Sequence, residues 1–346
     1  MGKVWCMIGW WVAAFAAFVI HSAAAERLNI FIWSEYLPEE VVAEFEKRHQ
    51  CKVVVDVYED AESMLAKVQG GGASYDIAVP PDYMVNAMVK GNLLAPLRHS
   101  NIPNLKNLEG KFQNPPYDPG NKFTVAYQWG TVGVYARRKE GVTPEESWGI
   151  FFDPKQQPGP IVLIDSMRDA IGAALKYRGR SLNTTDVKAL KETRDLLFDA
   201  KRRSAGFASS VAGKNKVLEK SAQAAIVYSG EAARGMEEDP DTYYFIPREG
   251  SQIWVDNLAV LAKAPNRKLA EAFINYVLEP GTGARISNYT QFATPNAAAR
   301  GLIATELLKN EAIYPNEETM KKLEFLQDLG RDTKLYDQVW TSVKAR

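Results

Sequence analysis

The sequence is poor in the residues that most often carry catalysis or hold a metal. Among 346 residues there are two cysteines, Cys6 and Cys51, and three histidines. Cys6 falls in an N-terminal apolar run, so Cys51 has no intramolecular disulfide partner. Ahead of Val53-Val54-Val55 it reads as a small buried apolar residue. Beyond that run only His49 and His99 remain, too few for a His-built zinc site or a Ser-His-Asp triad. Gly-x-Ser-x-Gly and His-Glu-x-x-His are absent, which leaves a paired-carboxylate glycosidase as the enzymatic alternative. An excess of one charge is missing too. Lys+Arg and Asp+Glu stand at 42 each, so nothing global attracts nucleic acid or an anionic membrane. After residue 25 no stretch approaches the ~18 apolar residues of a membrane span.

What is present begins with a leader. Lys3, the apolar stretch Val4 to Ile20 and Ala23-Ala24-Ala25 predict a secretory signal peptide over residues 1–25. The mature chain then opens on Leu28 to Trp33, a short apolar run that predicts a strand buried on both faces in a parallel sheet. It stops at Ser34-Glu35-Tyr36, and Pro38, Glu39 and Glu40 start a helix. An aromatic and acidic cluster therefore sits at the carboxyl end of the first strand, where open α/β sheets bind ligands. The alternation continues with strands at Lys52 to Tyr58 and Tyr75 to Pro80. The second of these is followed by Pro81-Asp82-Tyr83 and a helix. Gly70-Gly71-Gly72 ends a helix and lacks a following Gly-Lys-Ser/Thr, so it is no phosphate loop.

Arg98 to Lys122 reads as a long irregular connection rich in Asn, Pro and Gly. Phe123 to Ala136 is a strand long enough to pass from one lobe to another, and Gly250 to Val260 reads as the return crossing. Between them Ile161 to Ile164, Ala224 to Tyr228 and Tyr243 to Pro247 are strands. The first two end in Asp165 to Asp169 and in Tyr228 to Glu231. Helices are expected at Leu269 to Leu278, Glu317 to Leu329 and Lys334 to Val343. Two crossings far apart in sequence imply lobes of non-contiguous pieces with a ligand cleft between them.

These stretches resemble the periplasmic spermidine/putrescine-binding proteins of bacterial ABC importers. The resemblance runs along nearly the whole mature chain. It rests on Ile32-Trp33-Ser34-Glu35-Tyr36, Ser74 to Pro80, Tyr127 to Thr131, Trp254 to Ala259 and Ala293 to Ala298, five motifs in the family's order. It implies an α/β fold of the type II periplasmic binding protein class, two lobes each with a mixed β-sheet flanked by helices. The lobes are expected at 26–133 with 258–312 and at 134–257 with 313–346. It also implies periplasmic localisation, a polyamine ligand, no cofactor or metal, and no nucleic acid. The expected state is a monomer, and the expected partner an inner-membrane ABC permease or, alternatively, a membrane signalling receptor.

By the family's pattern Trp33, Tyr36, Tyr83, Tyr228 and Trp254 form an aromatic box. Asp256 holds an amine, joined by Asp169 and Glu35, and Ser34 and Ser209 fall on hydrogen-bonding positions. Glu231 matches an acid of putrescine-type members. Aromatic faces suit methylene segments and attract ammonium, while carboxylates set the distance between recognised amines. Ser166, Pro81, Tyr228 and Leu326 depart from the family's usual carboxylate, serine, tryptophan and glutamine, so polyamine-class recognition is implied but the particular amine is not. Trp129 and Trp148 are read as packing residues, and so are Tyr243 and Tyr244.

Overall fold

The computed structural model describes residues 25–71, 74–139 and 145–345. The leader expected over residues 1–25 lies, except for Ala25, outside the described residues. The described residues form ten strands: β1 (Glu26–Trp33), β2 (Cys51–Tyr58), β3 (Ile77–Ala78), β4 (Thr124–Arg137), β5 (Ile161–Ile164), β6 (Phe207–Ala208), β7 (Ala224–Tyr228), β8 (Thr242–Phe245), β9 (Ser251–Val260) and β10 (Leu323–Phe325). Their lateral order is β2-β1-β3-β9-β4-β7-β5-β6, with β8 added to β4 and β10 to β9.

The first strands are parallel: β1 pairs with β2 on one side and β3 on the other. Leu28, Ile30, Phe31 and Ile32 are all buried, as an interior parallel strand requires. The crossover helix Glu39–His49 starts after Pro38, carries Glu39 and Glu40 in its first turn and Lys47, Arg48 and His49 in its last, and buries Val41 and Phe45. Spacing of four places that pair on one face, and the charges oppose the helix dipole favourably.

β4 is the pivot. Its first half, Thr124 to Thr131, pairs antiparallel with β9. Its second half, from Val132, pairs with β7 and β8. The strand thus leaves one half of the sheet and enters the other at Thr131–Val132. β9 runs back beside it and reaches β3 through Ile77↔Val260. Every residue of β4 but Arg137, and all of β9, is buried. This pair is the two-strand connection expected from Phe123 to Ala136 and Gly250 to Val260.

One expectation is corrected. Glu317 to Leu329 is not a helix: only Glu317–Met320 is helical, and Leu323–Phe325 forms β10, parallel to β9. Ile253 pairs with Thr131 of β4 on one side and with Phe325 of β10 on the other, so the tail satisfies the backbone groups on the edge of β9 that the short β3 leaves open. Tyr75 to Pro80 shortens to β3, since only Ile77 and Ala78 find ladder partners.

Candidate functional site

The carboxyl ends of β1, β2 and β3 gather on one edge, and those of β5 and β7 face them from across β4 and β9. Between them lies a cleft of about 730 Å³ of atom-free space, solvent at its mouth included. Trp33, Ser34 and Tyr36 enter from the end of β1, and Tyr83 from the helix that follows Pro81. Asp169 lies in the first turn of the helix Met167–Tyr177, and Tyr228 and Glu231 at the end of β7. On β9 the residues of one face, Gln252, Trp254 and Asp256, point into the cleft, as the two-residue repeat of a strand requires.

The rings touch edge to face. Tyr228 and Trp254 have centroids 5.8 Å apart, Trp254 and Phe292 5.1 Å, and Tyr36 and Phe292 5.5 Å. Gly130 makes this possible, since a Cβ there would lie 2.6 Å from Trp254 and 2.7 Å from the Ser229 hydroxyl. Phe292 is pinned against Gly230 for the same reason. Two acids are held by phenols: Tyr36 Oη donates to Asp256 Oδ2 at 2.8 Å and Tyr228 Oη to Asp169 Oδ2 at 2.6 Å.

No Lys, Arg or His is among the described residues that line this cleft. The consequence is written in the acids. Burial drives the Asp256 carboxyl well above the ordinary carboxylate range; the Tyr36 hydrogen bond opposes this and the neighbouring Asp82 charge adds to it. The Trp33 indole also favours the carboxylate, although its N–H falls outside hydrogen-bond geometry and finds no partner. Burial raises Asp169 as well, against the pull of Tyr228, Ser166 and Arg168. Glu231 is pushed up to about 7 by burial, with Arg234 opposing at 3.9 Å. Its Oε2, like the Trp254 indole N–H, is buried without a hydrogen-bond partner. Buried carboxylates in an aromatic cleft whose described lining carries no cationic side chain form a site that favours a cation.

Nine of the eleven residues expected at the site therefore converge: Trp33, Ser34, Tyr36, Tyr83, Asp169, Tyr228, Glu231, Trp254 and Asp256. Glu35 and Ser209 do not line the cleft. Glu35 has a left-handed backbone, φ 54°, and its carboxylate accepts from Arg234 at 2.7 Å on the outside. Ser209 caps the next helix, its Oγ accepting from the Ala212 N–H, and Ser210 faces the cleft in its place. Glu59, Asp60, Gln252 and Phe292 were missed. The first two follow β2 just as Glu35 follows β1, and Gln252 shares the face of Trp254. Phe292 carries no sequence signal. The departures Ser166 and Pro81 line the cleft, whereas Leu326 is buried on the other side of β9. Trp129 points to that other side, and the Tyr244 hydroxyl bonds Thr131 Oγ1 at 2.9 Å.

A putrescine/cadaverine-binding protein of Pseudomonas aeruginosa is 31% identical over 97% of this chain and 98% of its own length. The spermidine/putrescine-binding periplasmic protein of Escherichia coli is 29% identical over 94% of this chain and 93% of its own. The crystal structure of a spermidine/putrescine ABC transporter substrate-binding protein from Streptococcus pneumoniae superposes with a TM-score of 0.78. It is 31% identical and covers 93% of this chain and 99% of its own. These likenesses establish the α/β fold of periplasmic solute-binding proteins expected from the sequence. The family pattern described as bacterial extracellular solute-binding protein matches residues 40–316, and the chain belongs to that family.

Proposed function

We propose that this chain captures a linear polyamine of the putrescine/spermidine class in the periplasm and delivers it to an ABC permease of the inner membrane. The observation that carries the reading is a cleft lined by Asp169, Glu231, Asp256 and aromatic rings, with no cationic side chain in its described wall. A diammonium chain answers both features: its ends neutralise buried acids and its methylenes lie on the rings. Nine residues form the binding set, from Trp33 to Asp256 as given above. Glu35 acts through Arg234 at the rim, and Ser209 holds Ser210 in place.

The lobes comprise 26–133 with 258–312 and 134–257 with 313–346, hinged at β4 and β9. The protein works as a monomer and without catalysis: a permease recognises the closed lobes, and ligand favours closure by binding that state more tightly. Uptake of radiolabelled putrescine by cells with and without this chain tests the reading. Loss of uptake on deletion, restored by the intact gene but not by Asp256→Asn, is the expected result. Unchanged uptake beside intact binding would remove the transport role.

A further inference from the structure

Behind the crossing strands lies a second, larger cavity, with about 1670 Å³ of atom-free space, solvent at its mouth included. β9 separates it from the cleft. Trp254 and Asp256 face one side, Ile253 and Val255 the other, and Tyr83 lines both. The remaining walls are the 111–119 connection, the helix Asp82–Lys90 and the tail that carries β10.

Two observations indicate what this cavity accepts. Its aromatic faces already hold an ammonium, the chain's own: Lys111 Nζ sits 4.5 Å from the Trp129 ring centre and 4.9 Å from that of Phe112. And Asp82, 2% exposed, has carboxylate oxygens that accept only backbone N–H groups, from Tyr83 at 2.7 Å and Val255 at 3.3 Å. Among the described residues no cation lies within ion-pair distance of it, whereas Asp328 on the same wall is paired with Lys90 at 3.2 Å. A large, mostly apolar hollow with one buried acid that makes no ion pair, Arg168 acting on it only from farther off, is suited to a compact apolar body bearing a single positive charge.

We propose that this cavity is a binding site for an organic cation of the arylalkylamine class, its ammonium at Asp82 and its ring against Tyr117 and Phe325, and that its occupation and capture in the cleft reinforce each other. The reinforcement follows from the tail, which is tied to both lobes. Asp328 accepts from Asn86 at 2.8 Å, while Gln327 and Phe325 give their carbonyls to Arg168 at 3.2 Å and Asn183 at 2.9 Å. A molecule fitted to the cavity in this arrangement, with Glu35 and Arg234 joined across the cleft, binds it better than any arrangement in which those walls have moved. Asp82 and Asp256 also repel when both are ionised, and an ammonium at Asp82 removes that repulsion.

The test is titration of the protein, empty and putrescine-loaded, with phenethylamine, neutral 2-phenylethanol and anionic 3-phenylpropanoate. The expected result is one saturable amine site, at least tenfold tighter for the amine than for the alcohol. That site should persist, and tighten severalfold, when putrescine fills the cleft. Phe325→Lys and Pro116→Lys, at exposed residues of two separate walls, should each weaken the amine at least tenfold and leave the putrescine titration intact. Displacement of the amine by putrescine, equal binding of the three probes, or indifference to both variants would overturn the proposal. Should putrescine itself not bind, the reading of the cleft fails, and the probe series with the two variants still decides this site.

Discussion

Lowering the pH should expel the ligand, and the structure says by how much. In the empty cleft Glu231 titrates near 7 and Asp256 well above the ordinary carboxylate range, because burial disfavours their charged forms. A polyamine changes this. Its ammonium groups, with pKa values of about 10 like that of lysine, stay charged throughout, and they hold the neighbouring carboxyls in the ionised form. Each carboxyl protonated in the empty cleft must therefore lose its proton on binding. For Glu231, near 7, affinity falls about tenfold between pH 8 and pH 6, roughly 1.4 kcal/mol, and Asp256, raised by its burial, deepens the fall. The assay is calorimetric titration with putrescine at pH 8, 7 and 6, repeated in two buffers of different ionisation enthalpy to count released protons. The expected result is net proton release on binding near pH 6.5 and affinity rising with pH. Equal affinity at pH 6 and 8 with no proton release would mean that these carboxyls are already ionised before the ligand arrives.

The same shifts act on stability with a definite sign. Asp82 rises from 3.8 to about 7 on folding, so its contribution is full below pH 4 and is lost as pH climbs to 7, by up to roughly 4 kcal/mol; urea unfolding of the ligand-free protein should show lower stability at pH 8 than at pH 5, and Asp82→Asn should flatten that slope. Trp254→Leu should weaken putrescine binding more than Trp129→Leu, measured on the folded fraction of each, since Trp254 lines the cleft and Trp129 the cavity behind β9; the reverse order would mean that the cleft is not the binding face. Glu35→Gln should cost less than about fivefold in affinity, because the Arg234 pair is half-exposed at the rim and such pairs contribute under about 1 kcal/mol; a loss above fiftyfold would place Glu35 on the ligand itself.

Much of this site is legible in the sequence, because parallel strands announce themselves as apolar runs and put their carboxyl ends on one edge. Trp33 to Tyr36, Tyr83 and Tyr228 to Glu231 follow from that rule, and Trp254 with Asp256 from the two-residue repeat of β9. The rule is accurate to about one residue. It cannot decide between Ser209 and Ser210, which depends on which hydroxyl caps the helix, nor see that a left-handed φ turns Glu35 outward. Helices such as Ser229–Glu238 and Pro280–Thr290 escape because glycines at 230, 235, 281 and 283 break the apolar period. Those at 230, 235 and 283 are there because a neighbour would meet a Cβ at 3.0 Å or less. Phe292 and β10 are set by tertiary contact alone. The first fills the space left by Gly130 and Gly230, and the second completes an edge of β9 whose partners lie some seventy residues away.

Everything proposed for the cleft turns on recognition of an amine by the buried acid on β9. The most direct measurement is calorimetric titration with putrescine, cadaverine and spermidine at pH 8 of the protein refolded to remove bound ligand, beside Asp256→Asn. One-to-one binding of at least one of the three by the native chain is expected, with a loss of more than tenfold, over 1.4 kcal/mol, in the variant, whose amide still accepts from Tyr36 but carries no charge. Binding of none of these amines, or equal affinity in the two proteins, would contradict it.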